Sequence, residues 1–425
     1  MTAPSTDTHR AIDAVWRIES AKLIAGLTRM VGDIGLAEDL AQDALVAALE
    51  QWPREGVPNK PGAWLMAAAK RRGIDHLRRK TMLARKHEQL GGELEAQQQL
   101  APDYDTAIDD HVGDDLLRLI FVACHPVLSR EARVALTLRL LGGLTTDEIA
   151  RAFLTPEPTI AQRIVRAKKT LADAGVPFEV PRGDEMAARL DSVLEVIYLV
   201  FNEGYAATAG DDLMRPALTG EALRLGRVLA ELAPDEPEVH GLVALMEIQA
   251  SRSAARVSPT GDAILLLDQD RSRWDQLFIR RGLAALDRAG AAGGSKGPYV
   301  LQAEIAACHA RARTAAETDW DRISGLYEEL ARRTPSPVVE LNRAVAVGMA
   351  IGPAAGLAMV EALTSDPALR GYHLLPAVRA DLLEKVGRLD EAATEFRRAA
   401  SLTRNARERQ LLTERAARAT EASQA

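Results

Sequence analysis

The apolar positions of the first fifty residues recur at helical spacing. Ala21, Ile24, Ala25 and Leu27 make one stripe, and Leu36, Leu40, Ala44, Leu45 and Leu49 make a second. Intervals of three and four put each set on one face of an α-helix. Gly32-Asp33 breaks the pattern and predicts a turn. Trp52-Pro53 predicts the end of the second helix, and the three prolines and two glycines of 53–62 predict a loop. A third helix is expected from Ala63 to Lys80. Helical patterning resumes at Asp114 and continues to about Ala174, where Gly175, Pro177 and Pro181 mark a boundary. From Glu185 onward the pattern is one of helical hairpins separated by Pro and Gly. No strand run stands out, so the expected fold class is all-α.

The C-terminal half repeats with a period of about 34 residues. Its clearest unit is Ala380, Leu383, Gly387, Ala392, Phe396 and Ala399. Small residues sit where two helices would cross closely, and Phe396 would fill the groove between them. Ala222, Leu229 and Pro234, followed by Ala244, Glu247 and Ser251, keep the same register. Leu326, Tyr327, Leu330 and Pro335 repeat the second-helix pattern. The reading is a solenoid of helix pairs, with an irregular helical bundle as the alternative.

Charge changes the picture locally. The 425 residues suit two to four domains, and their net charge of −7 excludes a protein that is basic throughout. Nucleic-acid contact would have to come from patches. From Lys60 to Leu90 there are nine Lys/Arg against Asp75 and Glu88; from Gly91 to Leu117 there are eight acids and no Lys or Arg. The second stretch also holds Gly91-Gly92 and Pro102, so it reads as an acidic linker. The two cysteines, Cys124 and Cys308, fit a reducing cytosol rather than a disulfide framework. The N-terminus is polar, and no run of eighteen apolar residues occurs. No signal peptide and no membrane association are expected, and the localisation expected is cytoplasmic.

The sharpest local motif spans residues 144–171. Thr145 or Thr146 can cap a helix whose first turn carries Asp147 and Glu148. Ile149, Ala150 and Phe153 would face inward, a turn falls at Leu154-Thr155, and Pro156 suits the first position of a second helix. Ile160 and Ile164 would pack inward. Glu157, Thr159, Gln162, Arg163 and Arg166 then share the outer face. This is helix-turn-helix spacing. Arg and Gln on such a helix can pair with base edges in a major groove, and Lys168 and Lys169 would meet phosphates. Leu154 stands where many such turns have Gly.

A second motif is independent of the first. Ala37-Glu-Asp-Leu-Ala-Gln-Asp-Ala-Leu45, Trp52, and the run Ala63-Trp64 through Lys70-Arg71-Arg72 to Arg78-Arg79 resemble region 2 of extracytoplasmic-function sigma factors. The helix-turn-helix, with the helices from Asp114 to Gly143 before it, resembles their region 4. Residues 185–415 resemble the subgroup with a fused tetratricopeptide-like domain, through Asn202-Glu-Gly-Tyr205, Asp268-Gln-Asp-Arg-Ser-Arg-Trp274 and Ser336-Pro-Val-Val-Glu-Leu-Asn-Arg-Ala-Val345. The resemblance implies region 2 at 1–82, the linker at 83–113, region 4 at 114–178 and the helical domain at 179–425.

It also implies roles. Glu38, Asp39, Gln42 and Asp43 would dock on the polymerase β′ clamp. Trp64, Lys70, Arg71, Arg72, Arg78 and Arg79 would hold the unpaired minus-ten strand, where cations and stacking platforms suit single-stranded DNA; Trp64 is equally readable as a buried structural ring. The outer face of the second helix of the motif, with Lys168 and Lys169, would contact the minus-thirty-five duplex. Core RNA polymerase, through its β′ clamp and β flap, and promoter DNA are the implied partners, and the helical domain offers a concave surface for a protein or peptide. A stand-alone helix-turn-helix regulator and a repeat scaffold with a vestigial sigma module are the alternatives. Cys124-His125 with His111 lacks metal-site spacing, and the carboxylates at Glu203 and 268–274 have no nucleophile or phosphate loop beside them. No cofactor and no catalysis are expected. In Asn202-Glu-Gly-Tyr205 the glycine would end a helix and Tyr205 would pack.

Overall fold

The structure, a computed structural model, describes residues 4–89, 112–153, 155–182, 184–293 and 296–424. The chain divides into two compact units, Met1–Val196 and Ile197–Ala425.

The first unit begins with three helices, α1 (Pro4–Val31), α2 (Ile34–Glu55) and α3 (Pro61–Gln89). The turn falls at Gly32-Asp33: Gly32 takes φ 71°, and the Asp33 carboxylate accepts from the Leu36 N–H at 2.7 Å to cap α2. Ala21, Ile24, Ala25 and Leu27 are buried together with Ala37, Leu40, Ala41 and Ala44. Leu36 and Leu45 are only half-buried, and Leu49, expected inward, is exposed. Helix α2 does not stop at Trp52-Pro53. Pro53 sits in its last turn, where a missing N–H forfeits a single bond, and the stop comes at Gly56, φ 88°, whose N–H donates to the Trp52 carbonyl at 2.9 Å. The loop is therefore confined to residues 56–60, and α3 runs nine residues past the expected Lys80. Most of the expected acidic linker, with His111, lies outside the described residues.

The unit continues with α4 (Val112–Ala123), α5 (Arg130–Leu140), α6 (Thr146–Ala152), α7 (Glu157–Asp173) and the first half of α8 (Asp184–Tyr205). Cys124 is buried in this core, its Sγ 3.3 Å from the Thr137 hydroxyl, and burial pushes the thiol up to about 11. The compact unit runs on past residue 178 into α8. Arg189 donates to the Phe121 carbonyl at 3.1 Å and the Ser192 hydroxyl to the Cys124 carbonyl at 2.5 Å. Arg130 and Arg133 each pair with Glu195 at 3.1 Å. The reason is elementary: the last carbonyls of α4 have no partner within their own helix, and α8 supplies donors for them.

The second unit stacks α9 (Pro216–Leu232), α10 (Pro237–Ala250), α11 (Gln276–Ala291), α12 (Pro298–Arg311), α13 (Trp320–Arg333), α14 (Pro337–Ala350), α15 (Pro353–Leu363), α16 (Leu374–Lys385), α17 (Leu389–Leu402) and α18 (Ala406–Gln424). Pro216, Pro237, Pro298, Pro337 and Pro353 each open a helix, where the absent N–H has no partner to lose. Ala380, Leu383, Ala392, Phe396 and Ala399 are wholly buried, and Gly387 makes the turn between α16 and α17 at φ 79°.

Two local features differ from the sequence reading. First, β1 (Ala209–Gly210) pairs in parallel with β2 (Arg404–Asn405). Asn405 is 0% exposed; its amide donates to the Ala207 and Asp212 carbonyls at 3.0 and 2.9 Å, and its Oδ1 accepts from the N–H groups of Arg407 and Glu408 to cap α18. The turn before α18 is thereby tied to the segment before α9. Second, Gly204 lies within α8 rather than ending it. A β-carbon there would run into the backbone nitrogen of Thr219 at the start of α9, so the residue is glycine for close approach. Gly204→Val is expected to lower the stability of this unit by about 1–3 kcal/mol through overpacking. Thermal denaturation followed by circular dichroism reads this, and a variant as stable as the parent would remove the explanation.

Candidate nucleic-acid interface

Helix α2 places Asp39 and Asp43 one turn apart and exposed, with Gln42 half-buried beside them. Glu38 departs from the expected exposed face: it is 3% exposed. Its Oε1 accepts from Arg139 Nε at 2.6 Å and from Gln42 Nε2 at 2.7 Å, and the Lys168 ammonium lies against its Oε2. Burial opposes ionisation of Glu38, but Lys168 and Arg139 more than offset it and hold the carboxyl below its usual range. Arg139 also donates to the Leu144 carbonyl at 3.2 Å, just ahead of the helix-turn-helix.

This ion cluster joins the α1–α3 bundle to the α4–α7 bundle. Three further contacts follow the same seam. Arg17 pairs with Glu148 at 2.9 Å, Arg29 pairs with the buried Asp115 at 3.1 Å, and Gly143 lies close to Ser20 and Arg17. A cavity of about 250 Å3 opens beside it, walled by Asp33, Gly35, Lys168 and Phe178. None of these pairs has a periodic signature. Arg139, Arg17 and Asp115 were invisible as partners because each meets a residue far away in sequence.

Helix α3 carries the cations. Arg71, Arg72, Arg78 and Arg79 are exposed and Lys70 is half-buried. Arg72 reaches Asp43 at 3.6 Å, so the acidic and basic faces adjoin. Trp64 is half-buried, its ring edge-on to the buried Trp52 with centroids 5.4 Å apart.

The helix-turn-helix is formed by α6 and α7. Thr145 and Glu148 make a reciprocal cap: Thr145 Oγ1 accepts from the Glu148 N–H at 3.1 Å, and Glu148 Oε2 accepts from the Thr145 N–H at 2.8 Å. Ile149, Ala150, Ile160 and Ile164 are buried, while Phe153 is half-buried. Pro156 precedes α7 instead of opening it: its extended ψ of 137° makes it the capping residue, and Pro158 takes a first-turn position. Leu154 lies outside the described residues. On α7, Glu157, Thr159, Gln162, Arg166 and Lys169 are exposed and Arg163 is half-buried. Lys168 is the exception, turned inward to Glu38 because a buried carboxylate outcompetes water for its ammonium.

Comparison with known proteins agrees with this arrangement. Residues 19–82 match the model for sigma-70 region 2, residues 118–171 that for sigma-70 region 4, and residues 189–290 that for a family of unknown function, DUF6596. An uncharacterized protein of Rhizobium meliloti is 45% identical over 387 residues, covering 91% of this chain and 90% of the relative. The probable ECF RNA polymerase sigma factor SigI of Mycobacterium tuberculosis is 26% identical over 200 residues, 44% of this chain and 68% of that protein. The ECF RNA polymerase sigma factor SigK of Mycobacterium ulcerans is 29% identical over 151 residues, 34% of this chain and 75% of that protein. No solved structure matches. Regions 2 and 4 together define a transcription initiation factor that binds core RNA polymerase and promoter DNA. The chain belongs to the extracytoplasmic-function sigma factors, in the subgroup with a C-terminal extension, and serves as an alternative sigma factor. Among the described residues no helix is long and apolar enough to cross a membrane.

Proposed function

We propose that Asp39 and Asp43 dock this sigma factor on the β′ clamp, that α3 holds the unpaired minus-ten strand, and that α7 reads the minus-thirty-five duplex while region 4 engages the β flap. The factor then works in the cytoplasm by binding, not by catalysis. The observation that carries this reading is the pairing of two exposed surfaces: adjoining acids and cations on α2 and α3, and the exposed Thr159, Gln162, Arg166 and Lys169 on α7. Glu38 and Lys168 drop out of the binding surfaces and become the lock between regions 2 and 4. Asp39→Lys with Asp43→Lys is expected to weaken core binding about tenfold or more while leaving the helices intact, since both side chains are exposed. Fluorescence anisotropy with purified core enzyme measures it, and unchanged affinity removes the assignment. Arg166→Ala is expected to cost about 1–3 kcal/mol at one base pair of the minus-thirty-five element, whereas Lys169→Ala weakens every sequence alike and lowers the salt dependence. Equal losses on all promoters for both variants would show that Arg166 reads no base.

More than half of the chain follows Val196. A covalently attached domain acts at an effective concentration of roughly millimolar, so the extension is suited to regulate the sigma module in cis. Because α8 supplies donors to region 4, the informative truncation ends after Tyr205, which keeps α8 whole. Run-off transcription equal to that of the full chain would exclude a regulatory role.

A further inference from the structure

We propose that the cavity at the junction of the first and last repeats of the C-terminal unit binds a small amphipathic carboxylate. The cavity measures about 300 Å3 and draws its walls from the segments around Arg252, Ile264 and Gln269 and from α16 and α18. That volume is at the lower end for small-molecule sites.

The case begins with charge. Arg252 and Arg256 lie against the same ring, that of Tyr205: the Arg256 guanidinium carbon stands 3.8 Å from its centroid and that of Arg252 5.7 Å. Arg252 donates from Nε to the Tyr205 hydroxyl at 3.1 Å, and Arg256 donates to the Tyr205 carbonyl. Among the described residues neither guanidinium forms an ion pair with a carboxylate within 4.0 Å; Glu408, in the same wall, acts on Arg256 only through its field. The other charges in the wall are already committed. Arg415 is held by Asp381 at 2.8 Å and Glu384 at 2.5 Å. Glu408 accepts from Thr403 at 2.8 Å and lies 3.2 Å from His373. Two like charges confined in a poorly solvated wall repel each other, and an anion between them removes that cost. Burial, and the neighbouring Arg252 in addition, pull Arg256 below the usual guanidinium range, and the opposing influences of Tyr205 and Glu408 do not restore it.

The rest of the wall selects the body of the ligand. Leu213, Leu265, Leu266, Leu411 and Leu412 line it, which suits an alkyl chain or ring and not a bare inorganic anion. One polar group completes the wall. Gln269 is 8% exposed; its amide nitrogen donates to the Ile264 carbonyl at 3.2 Å, while its Oε1 is buried without a hydrogen-bond partner. A buried acceptor of this kind calls for a donor on the ligand, such as a hydroxyl. Tyr205 and Gln269 belong to the two strings Asn202–Tyr205 and Asp268–Trp274, which the sigma regions do not use.

The test uses the full chain with octanoate, 3-hydroxyoctanoate, octanol and inorganic phosphate as probes, read by thermal shift and isothermal titration calorimetry. Octanoate is expected to raise the melting temperature saturably, 3-hydroxyoctanoate to bind about tenfold tighter, and octanol and phosphate to do neither. Arg256→Gln is expected to weaken octanoate at least about tenfold. Ala377→Phe, which fills the cavity and keeps both arginines, is expected to abolish binding and serves where the arginine variant fails to fold. Gln269→Leu is expected to erase the preference for the hydroxy acid. The proposal is overturned if octanol or phosphate matches octanoate, if neither acid gives a saturable shift, or if affinity survives Ala377→Phe.

Discussion

Replacing Glu38 by alanine is expected to destabilise the first unit by about 3 kcal/mol. The substitution leaves the Arg139 and Lys168 cations facing each other across a cavity, with side chains only 21% and 20% exposed. Removing one member of a buried ion pair strands the rest, which is why the expected loss exceeds that of any surface pair in the molecule. Urea denaturation of the full chain, followed by a probe in region 2, measures it; a loss below about 0.5 kcal/mol would show that the seam carries no energy. A double-mutant cycle with Lys168→Met isolates the pair. The pH dependence has a definite sign. The Glu38 carboxyl is depressed in the folded chain, so its contribution is complete above the unfolded value of 4.5 and is lost as pH falls through the folded value. The gap between parent and variant therefore narrows in acid.

The second large effect is expected at Phe396. Its ring is wholly buried between α16, α17 and α18, with the Arg415 guanidinium 4.3 Å from its centroid. Phe396→Ala removes the ring and leaves a cavity walled by residues that include the fully buried Ala380, Ala392 and Ala399, which have no side-chain length to fill it. The cost is expected to be about 3–5 kcal/mol, with a further fraction from the lost cation–π contact. Because Arg415 also holds Asp381 and Glu384, the variant is expected to loosen that ion cluster. A calorimetric scan in which the transition of the second unit moves down while that of the first stays put is the expected result; a shift below about 2 °C would mean the site collapses around the gap.

Helix content and the apolar helix faces were legible because they rest on local spacing. Ala21 to Leu27, Ile160 with Ile164, and Ala380 to Ala399 follow from side chains three or four apart. What escaped depends on distant partners. The carboxylate of Glu38 looks like its exposed neighbours Asp39 and Asp43 in sequence; only Arg139 and Lys168, about a hundred or more positions away, make it different. That α8 packs on the α4 end of region 4 was not legible, because its donors answer carbonyls nearly seventy residues earlier. The extent of α2 was misjudged for the opposite reason: Pro53 is a strong local signal, but in a final turn it costs too little to end a helix. Gly204 was read as a terminator when its value lies in the backbone of α9 pressing against it.

The pairing of β1 with β2 has a consequence in time. A linear stack can lock each repeat as soon as it leaves the ribosome, but this unit is complete only when Asn405 reaches the Ala207 and Asp212 carbonyls. At a synthesis rate of about 5–20 residues per second, translating the intervening stretch takes on the order of 10–40 seconds. Regions 2 and 4 emerge first and contain every residue assigned to promoter and polymerase. During that interval a nascent sigma module exists without a finished extension, so any control exerted by the extension starts only near the end of translation. A ribosome that stalls, or a message cut short, before codon 405 leaves a chain with its promoter-binding half and without the β1–β2 pairing.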